Sequence, residues 1–323
     1  MKKFGFFSCI ILISLCSFGC KKSLRPSEGF VKVEGGKIWY KIVGEGKGIP
    51  LLIIHGGPGS RSCGSIQGYS RLADQRPVIV YDQLGSGKSD RPTDTVLWKI
   101  DRFVEEVSAL KKQLDINELH ILGHSWGGTV LVEYMVTKKP EGIRSVIFTG
   151  PLLSTPVWIR DAKILLSQLP QNIQDTIQKY EKLKDYTAPS YVAATDSFYA
   201  RFLSVKQWPR TPSEDCEGVP GSNDQVYNYM WGPTEFTATG TLIDFDRTDR
   251  LHEIRQPILF IGGRHDEARP ETLYEFQKLV PHAQVKIIED AGHAILYDQP
   301  LAYTEAIRKF LIGAENNGQF PKN

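Results

Sequence analysis

Leu119-His120-Ile121-Leu122-Gly123-His124-Ser125-Trp126-Gly127-Gly128 decides how this chain folds. A short run suited to a buried strand leads directly into G-x-S-x-G, and residues 126–138 then carry a helical pattern that stops before Pro140. A serine between a strand and a helix sits on a sharp, strained turn, and only small neighbours let the helix pack that close to the strand. The turn presents the hydroxyl at the carboxyl end of a sheet. Ser125 is therefore the candidate nucleophile.

On either side of this elbow, strands and helices alternate. Phe30–Val33 and Lys37–Ile42 flank Glu34-Gly35-Gly36 and read as a β-hairpin. Leu51–Ile54, Val78–Tyr81 and Ser145–Phe148 are short buried strands, and Pro257–Ile261 and Gln284–Ile288 resume the pattern later. Residues 101–114 place Phe103, Val107, Leu110 and Leu114 on one face of a helix, with Asp101 as its expected cap. Further helices are expected near 271–279 and 301–312. Buried strands alternating with helices predict an α/β fold, a mostly parallel sheet with helices on both faces. Residues 154–233 break the rhythm. They hold no buried strand, are rich in aromatic residues, and their helical segments are expected to be broken by Pro156, Pro170, Pro189, Pro209, Pro212 and Pro220. The expected layout is a leader over 1–19, a linker over 20–29, a core over 30–153 and 234–315, a helical insertion over 154–233 and a tail over 316–323.

A serine hydroxyl needs a base, and the base needs an acid to orient it. In this type of fold the order is Ser, then acid, then His, each just beyond a strand. Asp266 follows Pro257–Ile261 in Gly262-Gly263-Arg264-His265-Asp266, and His293 follows Gln284–Ile288 in Asp290-Ala291-Gly292-His293. His265 is expected to face away from the site, His120 and His124 to pack or hydrogen-bond locally, and His252 and His282 to lie on the surface. Asp244, Asp246 and Asp249 follow no buried strand and read as a structural turn. Asp82 reads as a turn cap. His55-Gly56-Gly57-Pro58-Gly59 ends the strand at 51–54, and glycines there let backbone N–H groups approach a reacting carbonyl. The N–H groups of Gly57 and Trp126 are the expected oxyanion hole.

HGGPG at 55–59, YDQLGSGKSD at 81–90, GHSWGG at 123–128, GPTEF at 232–236 and GGRHDEA at 262–268 together resemble the proline iminopeptidase family of α/β-hydrolases, closest to the tricorn-interacting aminopeptidase branch. The resemblance covers roughly residues 28–315. It implies a helical cap over the site and removal of an N-terminal residue, often proline, from short peptides. It matches Gly57 and Trp126 to the oxyanion donors. Glu235 and Glu267, which spacing alone reads as solvated surface charges, match the positions that bind the substrate's free α-amine. That amine is largely protonated near neutrality, so paired carboxylates suit it. Trp208, Trp231 and Tyr229 are candidates to line a proline-sized pocket, and core packing is the other reading of them.

Composition excludes other classes. The 323 residues are 41% hydrophobic and 24% charged, ordinary globular values. Lys and Arg number 39 against 37 Asp and Glu, and no basic tract suggests nucleic acid. No Cys/His spacing suggests a metal, and no cofactor is expected. Lys2 and Lys3 precede an apolar stretch to Phe18, too short to span a bilayer. The leader ends Ser17-Phe18-Gly19-Cys20, similar to a bacterial lipoprotein signal. It predicts an exported enzyme lipid-anchored through Cys20, with a cleaved secretory signal or an uncleaved anchor as the alternatives. Cys63 and Cys216 are the remaining cysteines and read as two free thiols, a disulfide being the less favoured option.

The expected function is a serine aminopeptidase acting on short peptides with a free N-terminus. An esterase, amino-acid amidase or lactonase on the same fold is the first rival, and a non-catalytic lipid-anchored binding protein the second. Dehalogenase and epoxide hydrolase readings fail because Ser, not Asp, occupies the elbow.

Overall fold

A computed structural model describes residues 24–317. The leader and Cys20 lie outside the described residues, as does most of the tail.

One eight-stranded sheet runs β1-β2-β4-β3-β5-β6-β7-β8. β1 (Ser27–Val33) and β2 (Gly36–Val43) form the expected hairpin, and β2 meets β4 (Val78–Tyr81) antiparallel. From β4 onward every pairing is parallel, through β3 (Leu51–Ile54), β5 (Leu119–His124), β6 (Ile143–Thr149), β7 (Ile258–Gly263) and β8 (Gln284–Ile288). The central strands are buried on both faces, which is why they read as unbroken apolar runs. Alternation along the pleat sends Leu52, Ile54, Ile79 and Tyr81 into one core layer and Leu51, Ile53, Val78 and Val80 into the other.

Helices cover both faces. α1 (Ile66–Tyr69) is a single turn on the side that α10 (Pro300–Asn317) closes. α2 (Ile100–Gln113) and α3 (Trp126–Glu133) pack on the opposite face. Asp101 does not cap α2. The cap position is Lys99 without a side-chain bond, and Asp101 stands in the first turn, where its charge suits the helix dipole. α3 ends earlier than expected, passing at Tyr134 into a wider turn that runs to Lys138.

Between β6 and β7 the chain forms α4 (Thr155–Leu166), α5 (Gln171–Leu183), α6 (Pro189–Phe202) and α7 (Asp224–Met230). Three of the prolines expected to break helices begin them instead: Pro156 in the first turn of α4, Pro170 at the cap of α5 and Pro189 at the start of α6. The first turn needs no N–H from proline, and its fixed φ suits a helix start. These helices have an apolar cluster of their own around Ile177, Tyr191, Phe198 and Phe236. Residues 234–257 contribute no strand to the sheet, and Leu242, Phe245, Leu251 and Ile254 rejoin the main core. α8 (Pro270–Leu279) and the short α9 (Ile295–Asp298) complete the chain order.

The two cysteines are not free thiols. Cys63 and Cys216 form a disulfide with Cα atoms 5.1 Å apart, across 153 residues of sequence. It ties the loop after β3 to the segment between α6 and α7. The same segment is held by Arg61, which donates to the carbonyls of Val219 and Pro220 at 2.7 and 3.0 Å, and by Asn223 N–H on the Gly59 carbonyl at 2.8 Å. Closing so long a loop restricts the unfolded chain, an effect of about 2–5 kcal/mol in natural domains. Cys216→Ser is expected to lower the thermal midpoint, and reductant should bring the wild type down toward the variant while leaving the variant where it is.

Candidate active site

α3 and β5 meet at Ser125, whose φ of 53° is unusual for a side-chain-bearing residue. A Cβ on Gly123 would strike the Gly127 carbonyl, and one on Gly127 would strike the Ile54 carbonyl. Only glycine lets strand, turn and helix approach this closely. Ser125 N–H donates to the Thr149 carbonyl at 3.0 Å, and the Ser125 carbonyl accepts from Gly128 N–H at 2.8 Å. The turn is thus tied to β6 as well as to its own helix.

Asp266 and His293 come together from the loops after β7 and β8. His293 Nδ1 and Asp266 Oδ1 are 2.7 Å apart, both residues almost fully buried. Asp266 accepts further bonds from Ala268 N–H at 2.8 Å and Gly263 N–H at 3.2 Å. A carboxylate so supplied with donors keeps its place and turns the imidazole. The His124 ring, adjacent to Ser125 in sequence, packs on the His293 ring at 4.8 Å. A Cβ on Gly150 would sit 2.8 Å from His293 Nδ1, so β6 presses directly against the imidazole. The other histidines lie as expected. His120 bonds Ser145 Oγ, His124 pairs with the Thr149 carbonyl, and His265, His252 and His282 are exposed. Asp246 accepts from Ser154 and Thr248 within a turn.

The glycine loop after β3 lies beside Ser125, a Cβ on Gly56 falling 3.2 Å from that of Ser125. Gly57 has φ 125°. His55 holds this loop as a neutral ring: Nε2 accepts the Gln83 N–H at 3.1 Å, which leaves Nδ1 to donate to the Gly56 carbonyl at 2.7 Å. Burial lowers the His55 pKa and favours the same state. Gln83 also donates to the His55 carbonyl and accepts from Trp126 Nε1 at 2.8 Å. The indole of Trp126 is thereby fixed in the core, with its backbone N–H at the start of α3. Asp82 caps turns, accepting from the N–H groups of Ser62 and Lys88.

Glu267 is 3% exposed, and neither carboxylate oxygen has a hydrogen-bond partner. Its Oε1 lies 3.7 Å from His293 Nε2. Glu235 is close enough for its charge to act on Glu267. Its N–H donates to the Tyr199 hydroxyl at 3.3 Å, and the Tyr227 hydroxyl bonds its carboxylate. Burial raises the pKa of both acids, and the charges of Glu235 and Asp266 push Glu267 up further. A buried carboxylate without donors, as Glu267 is, suits a cation brought to it.

Trp158, in the second turn of α4, sets its ring edge on His293 at 5.7 Å and donates Nε1–H to the Glu235 carbonyl at 2.9 Å. Sequence reading counted it only among the aromatics. Its place next to a helix N-terminus, after Ser154, was the available signal. Of the three suggested pocket aromatics, Trp231 touches Trp158 and Trp208 touches Tyr199. Tyr229 instead packs on Trp98 and is 40% exposed, away from the cleft.

The loop carrying His293 is bound to the end of α6. His293 N–H donates to the Phe202 carbonyl at 2.8 Å and Ala294 N–H to that of Leu203 at 2.7 Å. Asp298, fully buried, accepts from Gly292 N–H at 2.8 Å, Ser204 Oγ at 2.8 Å, Val205 N–H at 3.1 Å and Lys206 N–H at 3.3 Å. Asp298→Ala strands these donors. It is expected to cost about 2–4 kcal/mol in denaturant unfolding and to lower kcat on every substrate alike. Glu267 gives a prediction of opposite sign. Its raised pKa means that the fold favours its neutral form, so that contribution to stability is present below the ordinary carboxylate range and is lost as pH rises through the raised value. Glu267→Gln should therefore stabilise the protein, by more near pH 8 than near pH 5 in thermal melts.

Residues 49–300 match the family described as the α/β hydrolase fold. A proline iminopeptidase of Heyndrickxia coagulans is 43% identical over 287 residues, 88% of this chain and 98% of that protein. The crystal structure of proline iminopeptidase from Mycobacterium smegmatis superposes with a TM-score of 0.81 at 29% identity, covering 91% of this chain and all of that one. The structure of VinJ gives 0.81 at 29% identity, over 89% and 99% of the two chains. With its strained serine elbow, its paired Asp266 and His293, and this likeness along nearly its whole described length, the chain belongs to the proline iminopeptidase family of α/β-hydrolases.

Proposed function

We propose that the protein is a serine aminopeptidase that releases the N-terminal residue, proline among them, from short peptides. Glu267 carries this reading: a buried carboxylate with no donor, 3.7 Å from His293 Nε2, suits a protonated α-amine carried on the same residue as the scissile carbonyl, one Cα away from it. Glu235 supplies a second acidic group on the insertion side of the cleft.

In the proposed reaction His293 Nε2 takes the proton of Ser125 as Oγ attacks the carbonyl of the first residue. Asp266, bonded to Nδ1, keeps the base in the right tautomer and stabilises the imidazolium. The oxyanion forms against the N–H groups of Gly57 and Trp126. His293 then protonates the leaving amine, and water enters by the same base to release the acyl group. Binding an ammonium between Glu235 and Glu267 draws off the proton that burial favours there, so KM for free-amine substrates should rise on acidification.

We also infer that Cys20 carries lipid, as the leader's pattern supports. Ser27 begins β1 at the end of the sheet where Val78 begins β4, opposite the site, so a tether entering there would leave the cleft facing away from the membrane.

Ser125→Ala is expected to abolish turnover. Glu235→Gln and Glu267→Gln should raise KM for proline nitroanilide by roughly tenfold or more, the scale of one charge-assisted hydrogen bond, with little change on nitrophenyl acetate. Equal losses on the ester would refute amine recognition and favour the esterase reading.

A further inference from the structure

The segment following α6 runs beside the acidic residues of the site and carries Arg210. Its backbone is fixed by Asp298 at Val205 and Lys206. Trp208 packs on Tyr199 at 5.0 Å, and Tyr199 accepts the N–H of Glu235, so this segment borders the acidic pocket. Two residues further on, Arg210 is exposed, with its guanidinium over the Tyr297 ring at 5.8 Å. Thr211 N–H donates to the Tyr297 hydroxyl at 3.1 Å and fixes that approach.

Among the described residues, Arg210 makes no ion pair or side-chain hydrogen bond. Its charge is nonetheless felt on both sides of the cleft, at Glu235 and at His124, the ring that packs on His293. Surrounding protein removes water from the guanidinium and pushes its pKa down. The neighbouring acids are engaged elsewhere: Asp298 holds four donors, and Glu235 is turned to the Tyr227 hydroxyl. A partly desolvated guanidinium facing a reaction cleft, with its fork of donors unused, fits an incoming carboxylate.

We propose that Arg210 receives the free C-terminal carboxylate of a dipeptide or tripeptide substrate. This deepens the aminopeptidase reading and rests on it. With the amine held by Glu235 and Glu267 and the first carbonyl at Ser125, the remainder of the peptide runs toward Arg210. Each residue advances the chain by at most about 3.3–3.6 Å, so this assignment puts Arg210 within the reach of one or two residues beyond the scissile bond. A longer peptide carries the carboxylate past Arg210.

The test compares kcat/KM on Pro-Ala and Pro-Ala-amide for the wild type, Arg210→Gln and Arg210→Lys. The wild type should prefer the free acid roughly tenfold, a factor equivalent to about 1.4 kcal/mol. Arg210→Gln should bring the ratio to about one, and Arg210→Lys should keep part of it. The ratio is internal to each variant, so a general loss of activity cancels. A wild type indifferent to the C-terminus, or an Arg210→Gln that keeps the preference, overturns the assignment. Failure to cleave either peptide while nitrophenyl acetate is hydrolysed overturns the aminopeptidase reading, and this inference with it.

Discussion

Everything at the site is referred to the backbone of Ser125. Its φ of 53° with ψ −123° is a sparsely populated conformation for a residue with a Cβ, disfavoured by about 1–3 kcal/mol, and it persists here because surrounding elements leave it no alternative. Gly123 and Gly127 let α3 press against β5 and β3 with no Cβ between them. The N–H of Ser125 is bound to β6, and its carbonyl accepts from Leu152 at 3.2 Å as well as from Gly128. A strained turn bonded to β6 and packed against β3 and its own helix is rigid, which a nucleophile needs if its hydroxyl is to meet a base arriving from another loop.

The three acids around His293 differ in how well they are satisfied. Asp266 accepts two backbone N–H groups besides the imidazole, so its carboxylate is held in place to orient the ring. Glu267, the next residue, has neither oxygen bonded, and Glu235 has a hydroxyl to share. Within a few ångströms the protein thus separates an acid that positions from an acid that waits. The turn after β7 accounts for the difference: Asp266 takes the N–H groups of Gly263 and Ala268, while those of Arg264, His265 and Asp266 itself go to backbone carbonyls, so none of them serves Glu267.

The core was legible because its strands are buried on both faces. Leu51–Ile54 and Val78–Tyr81, buried throughout, have the bounds that their residue pattern predicts, and so does Gln284–Ile288, although its first four residues are exposed or half-buried at the edge of the sheet. Asp266 and His293 were found by chain order after such strands. The insertion was less legible, since a proline reads alike whether it starts a helix or breaks one, and Pro156, Pro170 and Pro189 all start one. Asp101 was misplaced by two positions for a related reason: an acid near a helix start suits cap and first turn equally. The Cys63–Cys216 pairing spans 153 residues, and no local pattern carries it. Trp158, Asp298 and Arg210 act across the fold rather than along the chain. Asp298 meets its nearest partner, Gly292, six residues away, but its others lie more than 90 residues distant.

Those long-range contacts bear on what the helical insertion does. An independent roof would touch the core only at its hinges, whereas here the carbonyls of Phe202 and Leu203 bind the N–H groups of His293 and Ala294. Trp158 bridges from the base to the backbone of Glu235. Asp298 fastens the loop of His293 to the segment that carries Arg210, and the disulfide fastens the far end of that segment to the loop following Gly57. His293, Glu235, the segment of Arg210 and the loop following Gly57 are therefore joined through the insertion as one bonded unit. A change in the insertion that shifts the pocket also shifts the base, so altered substrate choice in this architecture should appear in kcat as well as in KM.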